Sequence, residues 1–431
     1  MITPVLHPSH RGPMSSIRML GHIRLLTQHV SMRSSALRSF SRTCRPSPSL
    51  IRYTSRPISL IPCPQPSRLA TTLVIPDSKS PPAPEVYTPP TTGILSYLPS
   101  SVVPYAELVR IDKPTGTTYL FLPCMWSTIL ASTMVDPVHP LTSVVYTTLL
   151  FGTGAIIMRG AGCAINDLWD RNIDPKVTRT KFRPIARGAI TPAAALVFTA
   201  SQCLAGLAVL VQFPVETIVY GIPSLVLVGC YPLMKRITHY PQFVLGLSFS
   251  WGAILGFPAM GLSLMEPTVA MTAGLLYASN VAWTVLYDTI YAHQDVKDDL
   301  KAGVKSIAVK HESHTKYLMT GLGVVQIGLL AGAGAVSGCG PIFYGLSCGG
   351  AAAGLGYMIR KANLKDVKEC WWWFKWCAWA VGGVAVGGGL FGEYLAVRTG
   401  IYGEEGWWGM GGRRQRVLGI NTGEGILMIR E

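Results

Sequence analysis

The sequence predicts an all-α fold, a multi-pass membrane bundle of about nine transmembrane helices, and three observations predict it. Of 431 residues, 49% are hydrophobic and only 14% charged, with mean hydropathy +0.34; a soluble domain averages about a quarter charged. From about residue 117 the chain becomes a succession of apolar runs, each near the ~20 residues that cross a bilayer as a helix. The connections between runs are sorted by charge: seventeen Lys and Arg fall on alternate connections and none on the others. A disordered chain, a collagen-like repeat and a soluble globular enzyme do not fit this composition. The ten cysteines form no Cys-x-x-Cys pair, which leaves neither a zinc spacing nor a secreted disulfide framework. Most of them lie in apolar runs, where cysteine packs as a small hydrophobe.

The elements follow in order. Residues 1–76 carry ten arginines, no lysine and no acidic residue, the composition of an organelle transit peptide. Within it, Ile17, Leu20, Ile23 and Leu26 against Arg18, Arg24 and Arg33 predict a basic amphipathic helix. A nucleic-acid-binding arm would carry lysine and interleaved aromatics; both are missing, so no nucleic acid partner is expected. Residues 77–104, with Pro81-Pro82 and Pro89-Pro90, read as a linker. The membrane domain then spans 105–396, with crossings expected at 117–135, 143–163, 193–212, 215–231, 243–263, 268–288, 318–338, 341–359 and 373–396. The last three are rich in Gly and Ala, which suits close helix packing in lipid. None is expected to break at mid-membrane, where carriers place their sites. The basic connections, at 171–187, 235–236, 297–316 and 360–368, all follow even-numbered crossings, so they share one side. Residues 397–431 form a Gly-rich, basic tail with no assigned role.

The acidic residues cluster as tightly as the basic ones. After the second crossing stands Asn166-Asp167-x-x-Asp170-x-x-x-Asp174, and after the sixth stands Asp288-x-x-Tyr291-x-His293-Gln294-Asp295-x-x-Asp298-Asp299. The recurrence at i and i+4 (Asn166, Asp170, Asp174, then Asp295, Asp299) would place each set on one helix face. Both sets open on the basic side, and a constant offset of 129 residues between them hints at an internal duplication. Like charges on one face repel and acids at membrane depth are costly. A hard divalent cation answers both problems, and oxygen-only ligands suit Mg²⁺, which is completed by substrate phosphates. Lys176, Arg179, Arg183 and Lys305 lie close by in sequence as candidates to hold a diphosphate.

With these residues in view, the chain resembles the UbiA superfamily of intramembrane aromatic prenyltransferases. The likeness rests on the two acidic boxes, on Arg179-Thr-Lys-x-Arg183-Pro184, and on Tyr291-Ala-x-Gln294-Asp295. Arg110-Ile-Asp112-Lys113-Pro114-Thr-Gly116, Arg159-Gly-Ala-Gly162-Cys163 and Tyr231-Pro232-Leu-Met-Lys235-Arg236-x-Thr238 are similar to its branch acting on 4-hydroxybenzoate. The resemblance covers about residues 105–396 and implies helices around a central cavity that opens sideways to lipid, capped by the acidic loops. It implies Mg²⁺ held by Asn166, Asp170 and Asp174 and by Asp295 and Asp299, with Asp167 and Asp298 behind them or turned to solvent. It implies a polyprenyl diphosphate donor bound by Lys176, Arg179, Arg183 and Lys305, and a mitochondrial inner-membrane enzyme of ubiquinone synthesis with its site facing the matrix. Other enzymes of that synthesis would be its protein partners, and the lipid bilayer its surroundings. Arg236, with Lys235, is the candidate for the acceptor's carboxylate, since a forked guanidinium matches it. Asp295 is the candidate base, Trp126, Trp251, Tyr287 and Tyr291 are candidates to line the cavity, and His293 reads as a helix-surface residue. Two other readings stay open: a relative acting on a polyketide-derived phenolic acid, against which the transit peptide speaks, and a carrier with acidic gates.

Overall fold

The computed structural model describes residues 86–303 and 305–403, and of residues 232, 235, 236 and 302 it describes the backbone alone. The expected transit peptide, the first part of the expected linker and the residues beyond 403 lie outside the described residues. Those described are helical, with no strand among them.

Short helix α1 (Val103–Leu108) leads into α2 (Thr115–Thr133), α3 (Leu141–Trp169), α4 (Pro192–Leu210) and α5 (Val215–Ile237). Then come α6 (Pro241–Phe249), α7 (Gly252–Ala259), α8 (Pro267–Ala292), and the short α9 (Val296–Ala302) and α10 (Ile307–Lys310). The bundle closes with α11 (Thr315–Ser337), α12 (Gly350–Lys361), α13 (Val367–Trp376) and α14 (Gly388–Arg398). Wide π-helical turns at Phe343–Gly349 and Cys377–Gly387 run directly into α12 and α14. The starts and stops are those the local chemistry dictates. Thr191 accepts a hydrogen bond from Ala194 N ahead of Pro192 at the first position of α4, while α9 and α11 stop at Gly303 and Gly338 with φ of +70° and +73°, where glycine carries no steric cost.

Six helices are long and apolar enough to cross a membrane: Leu141–Trp169, Pro192–Leu210, Pro241–Ala259, Pro267–Ala292, Thr315–Ser337 and Val367–Arg398. The runs expected at 117–135, 215–231 and 341–359 are helical as well, but fall short of that standard, so the count of nine crossings is not reached by these six. Outward faces are apolar: Val197, Leu204, Val226 and Val324 are each more than 60% exposed. A water-facing surface would not carry a belt of that kind, whereas lipid requires one.

One span departs from expectation. The run at 243–263 is two helices, α6 and α7, separated by a tight turn at Ser250 and Trp251 with Ala253 N donating to Ser250 O at 2.8 Å. Packing dictates the turn. Trp251 Nε1 donates to Tyr220 O of α5 at 2.7 Å, and Ser127 Oγ of α2 donates to Gly252 O at 2.8 Å. A Cβ on Gly252 would strike Cys124, and one on Gly256 would strike Ser127 and the backbone of Thr128. Glycine thus lets α2 and α7 meet backbone to backbone, as small residues do between helices in lipid.

The centre is aromatic. Tyr119 and Tyr287 stack with centroids 3.6 Å apart, Trp283 meets Tyr287 edge to face, and Trp126 Nε1 donates to Gly382 O at 3.1 Å. Trp126 and Tyr287, expected to line a cavity, are each 2% exposed in this cluster.

Candidate active site

Both acidic boxes sit at the same end of the bundle, at the exits of α3 and α8. The first does not continue as a helix. Asp170 is the residue that ends α3, and Ile173 N and Asp174 N both donate to its carbonyl, at 2.8 and 2.9 Å. Asp174 then opens a 3₁₀ turn, Asp174–Lys176. Asp295 likewise does not extend α8 but precedes α9, with Asp298 and Asp299 in its first turn, where carboxylates favour the helix dipole. The expectation of a shared helix face is therefore corrected for the first box, whose last carboxylate stands on a 3₁₀ turn. In the second, Asp299 N donates to Asp295 O at 2.8 Å as α9 begins, so those two carboxylates keep the i, i+4 relation of a helix.

Arginines answer the carboxylates. Asp167, 1% exposed, accepts from Arg110 Nη2 at 2.6 Å and faces Arg183 Nη1 at 3.1 Å. Arg183 Nη1 also donates to both oxygens of Asp174, at 3.0 and 2.9 Å. Burial pushes the Asp174 carboxyl up, against the pull of Arg183. Arg110 has φ +56°, a left-handed conformation that costs a non-glycine residue energy, and its guanidinium is the anchor that holds it there. The loop leaving the first box crosses to the second. Arg179 grips Asp295 through Nε at 2.8 Å and Nη2 at 2.6 Å, Arg179 Nη1 donates to Tyr291 Oη at 3.0 Å, and Thr178 N donates to Asp298 Oδ2 at 3.3 Å. Withdrawal from water works against the Arg179 charge, but Tyr291, Asp295 and Asp299 outweigh it and hold the proton more firmly than usual.

A strap from the linker secures the far end of this loop. Tyr87 Oη donates to Glu107 Oε1 at 2.6 Å, Arg187 Nη2 donates to Glu107 Oε2 at 2.5 Å, and the Arg187 guanidinium lies 3.8 Å over the Tyr87 ring.

Buried polar atoms without hydrogen-bond partners mark the interior below the boxes. They include Arg159 Nε, Asn166 Oδ1 and Asp167 Oδ2 on α3, Ser250 Oγ at the α6/α7 turn, and Asn280 Nδ2 and Oδ1, Thr284 Oγ1 and Tyr287 Oη on α8. Positions 280, 284, 287 and 291 share a face of α8, so a polar stripe climbs to Tyr291 and the second box. Such atoms at membrane depth require water or a bound molecule as partner.

Among the described residues no three His, Cys, Asp or Glu side chains converge as a closed metal set. Mg²⁺ needs none, since one or two carboxylates with water and substrate phosphate suffice. The unpartnered oxygens of Asn166 and Asp167 beside Asp170 and Asp174 are the hard donors such an ion takes, so the residues fit it.

Of the other expected site residues, Lys176 is exposed at the end of its 3₁₀ turn, and Lys305 Nζ donates to Ile237 O at 3.4 Å. The side chains of Lys235 and Arg236 lie outside the described residues. Of the two placements expected for Asp167, behind the ligands or turned to solvent, the second is excluded: it is the buried hub of the first box. His293 is not on the surface: it is buried, with Nδ1 2.7 Å from Thr289 O and Nε2 3.3 Å from Thr315 Oγ1, tying the end of α8 to α11. Sequence reasoning passed over Arg110 and Arg159 as site residues, although both stand in motifs it quoted. Arg159 is enclosed in α3 beside Gly116, where a Cβ would collide with its guanidinium, and lies within electrostatic reach of Tyr291, Asp167 and Tyr231. A lone arginine inside an apolar run was the available signal.

Comparison with known proteins adds the following. Residues 120–381 match the model of the UbiA prenyltransferase family. A Schizosaccharomyces pombe protein named 4-hydroxybenzoate polyprenyltransferase, mitochondrial, is 47% identical over 272 residues, 63% of this chain and 75% of its own. Proteins of the same name from Saccharomyces cerevisiae (46% identical, 65% of this chain and 74% of its own) and Homo sapiens (44%, 65% and 72%) are similarly close. Among solved structures, the apo form of a UbiA homologue from Aeropyrum pernix superposes with a TM-score of 0.52 at 21% identity, covering 65% of this chain and 97% of its own. One from Archaeoglobus fulgidus, bound to GPP and Mg²⁺, gives 0.48 at 15% identity, covering 69% and 99%.

Proposed function

This chain belongs to the UbiA prenyltransferase family, and we propose that it transfers a polyprenyl group from a polyprenyl diphosphate to the ring of 4-hydroxybenzoate, ortho to the hydroxyl, in ubiquinone synthesis. The shared name of the relatives supports the acceptor and the mitochondrial address. The observation that carries the chemistry is the joining of the two boxes: Arg179, from the loop after the first, lies bidentate on Asp295 of the second.

Asn166, Asp170 and Asp174 would hold one Mg²⁺, and Asp295 and Asp299 the other. Bound there, the ion supplies Lewis-acid neutralisation of the leaving diphosphate. Arg179 and Arg183 are positioned to exchange a carboxylate partner for diphosphate oxygens, an exchange between charge-assisted bonds of similar strength, with Lys176 and Lys305 at the rim. The transferred group departs as an allylic cation, so the apolar walls and Tyr119–Trp283–Tyr287 cluster serve to keep water from it. The benzoate carboxylate needs a forked cation. Arg236 is one candidate, and Arg159 is the other, favoured by its buried, unpartnered Nε. Asp295, if released from Arg179 and from the ion, is the candidate to take the ring or phenol proton. The broken α6–α7 span removes one argument against a carrier, but family membership now weighs against that reading. The inner membrane, with both boxes toward the matrix, is the setting we propose from the basic connections.

The test is the mass of the product formed by membranes given 4-hydroxybenzoate and a polyprenyl diphosphate. Asp170→Ala and Asp295→Ala are each expected to lower kcat/KM by about 10³-fold or more, since metal-linked charge stabilisation is worth several kcal/mol. Arg159→Gln and Arg236→Ala are to be compared by KM, and the one that binds the carboxylate raises it for 4-hydroxybenzoate alone. A product formed only from a different phenolic acid, or undiminished turnover in thoroughly chelated membranes, overturns the reading.

A further inference from the structure

An apolar cavity of about 630 Å³ opens between α6, α8 and α11, and no residue of either acidic box lines it. Its volume falls in the range of ligand sites, about 300–1,000 Å³. Phe243 and Leu247 of α6, Val281 and Val285 of α8, and Leu318 and Leu322 of α11 form its walls, each pair one turn apart on a single helix face. Helices α6 and α11 begin, and α8 ends, at the basic side of the bundle. The slot therefore runs inward from that side, about 12 Å along α8 from Val285 to Tyr277 at 1.5 Å per residue. Its outer end is closed by Tyr240 and Ile307. There Lys310 Nζ lies 4.6 Å over the Tyr240 ring, and His311 Nε2 is 3.0 Å from Tyr240 Oη.

We propose that this slot binds one acyl chain of an anionic phospholipid, with the lipid phosphate taken by Lys310 and His311. An apolar channel capped by a phenol, an ammonium and an imidazole at the basic membrane face is complementary to a lipid chain ending in a phosphodiester. The connection 304–316 carries Lys305, Lys310 and Lys316 against a single acid, Glu312, and Glu312 lines a separate cavity with Lys316 and Lys361. A zwitterionic lipid brings its own cation beside the phosphate, which competes with Lys310 for it, whereas an anionic lipid leaves its phosphate free to pair. The prenyl donor is a poorer occupant, because its diphosphate belongs with the acidic boxes and no oxygen donor of theirs reaches this slot. Free phosphate would leave the apolar walls unused.

The experiment uses the full chain in nanodiscs of dioleoyl phosphatidylcholine, with or without tetraoleoyl cardiolipin, read by thermal unfolding and by lipid retained in native mass spectrometry. Cardiolipin is expected to raise Tm by several degrees, as any ligand of the folded state does, and to be retained several-fold more than phosphatidylcholine. Lys310→Gln combined with His311→Gln should abolish both effects, the cardiolipin gain being read against the variant's own Tm in pure phosphatidylcholine, and Ala278→Phe, which fills the slot, should abolish retention. Lys361→Gln, a basic residue of the same side outside the slot, should behave as wild type. Equal retention of the two lipids, an unchanged cardiolipin effect in the double variant, or the same Tm gain from inorganic phosphate would each overturn the proposal. Displacement of cardiolipin by farnesyl diphosphate would also overturn it, by assigning the slot to the donor.

Discussion

Asp167 sets the electrostatics of the first box residue by residue. It holds Arg110 at 2.6 Å and Arg183 at 3.1 Å while itself 1% exposed. Removing one member of a buried ion pair strands the others without a counter-charge, at a cost of about 3–5 kcal/mol. Asp167→Asn should therefore lower the unfolding temperature and the activity together, whereas Asp298→Asn, which loses a single backbone contact at 3.3 Å, should leave stability nearly unchanged. Thermal unfolding of the two purified variants side by side tests this, and equal losses would refute the hub assignment. The sequence pointed to Arg183 and Asp174 here but passed over Arg110, and it could not tell ligand from ion-pair partner. Residue types carry chemistry, yet Arg179 and Asp295 stand 116 positions apart, and only the folded loop brings them together. The place of Asp167, behind the ligands or turned to solvent, stayed open for the same reason: its two arginines come from separate segments, 57 residues before it and 16 after.

At the scale of elements, hydropathy alone located the long apolar runs, because lipid enforces a simple length rule, but it left out the short helices α1, α9 and α10 at the basic side. It missed the turn at Ser250-Trp251. Neither residue breaks a helix by itself; the turn depends on Trp251 reaching Tyr220 and on glycines meeting α2, contacts without a local signal. Those glycines give a sharp expectation. Gly256→Val would drive a side chain into Ser127 and the Thr128 backbone, and overpacking of this kind costs about 1–3 kcal/mol. Gly274→Ala, on α8 with nothing near its would-be Cβ, should cost little or even stabilise the helix. Thermal unfolding in one detergent would show the difference, and indistinguishable midpoints would mean that α2 and α7 do not meet this closely.

For the whole molecule, charge asymmetry predicts a direction. With the basic connections and both boxes toward the matrix, protease added to mitoplasts should spare Lys297–Lys305, and with nine crossings it should trim the chain beyond Val397. Cleavage at 297–305 behind an intact inner membrane would invert the orientation. Residues 1–76 fused to a soluble reporter should carry it into mitochondria, and a cytosolic reporter would refute the transit peptide. By composition the sequence is expected to divide into leader, linker and membrane body, with residues 77–104 read as a Pro-rich linker. Tyr87 lies in that stretch. Its hydroxyl on Glu107 and its ring under Arg187 make it the last foothold of the loop that carries Arg179 and Arg183. If residues 1–76 are removed as the transit peptide we propose, the foothold stays in place, while trimming past residue 87 would yield an inserted, folded chain whose Arg179 loop has lost its tether.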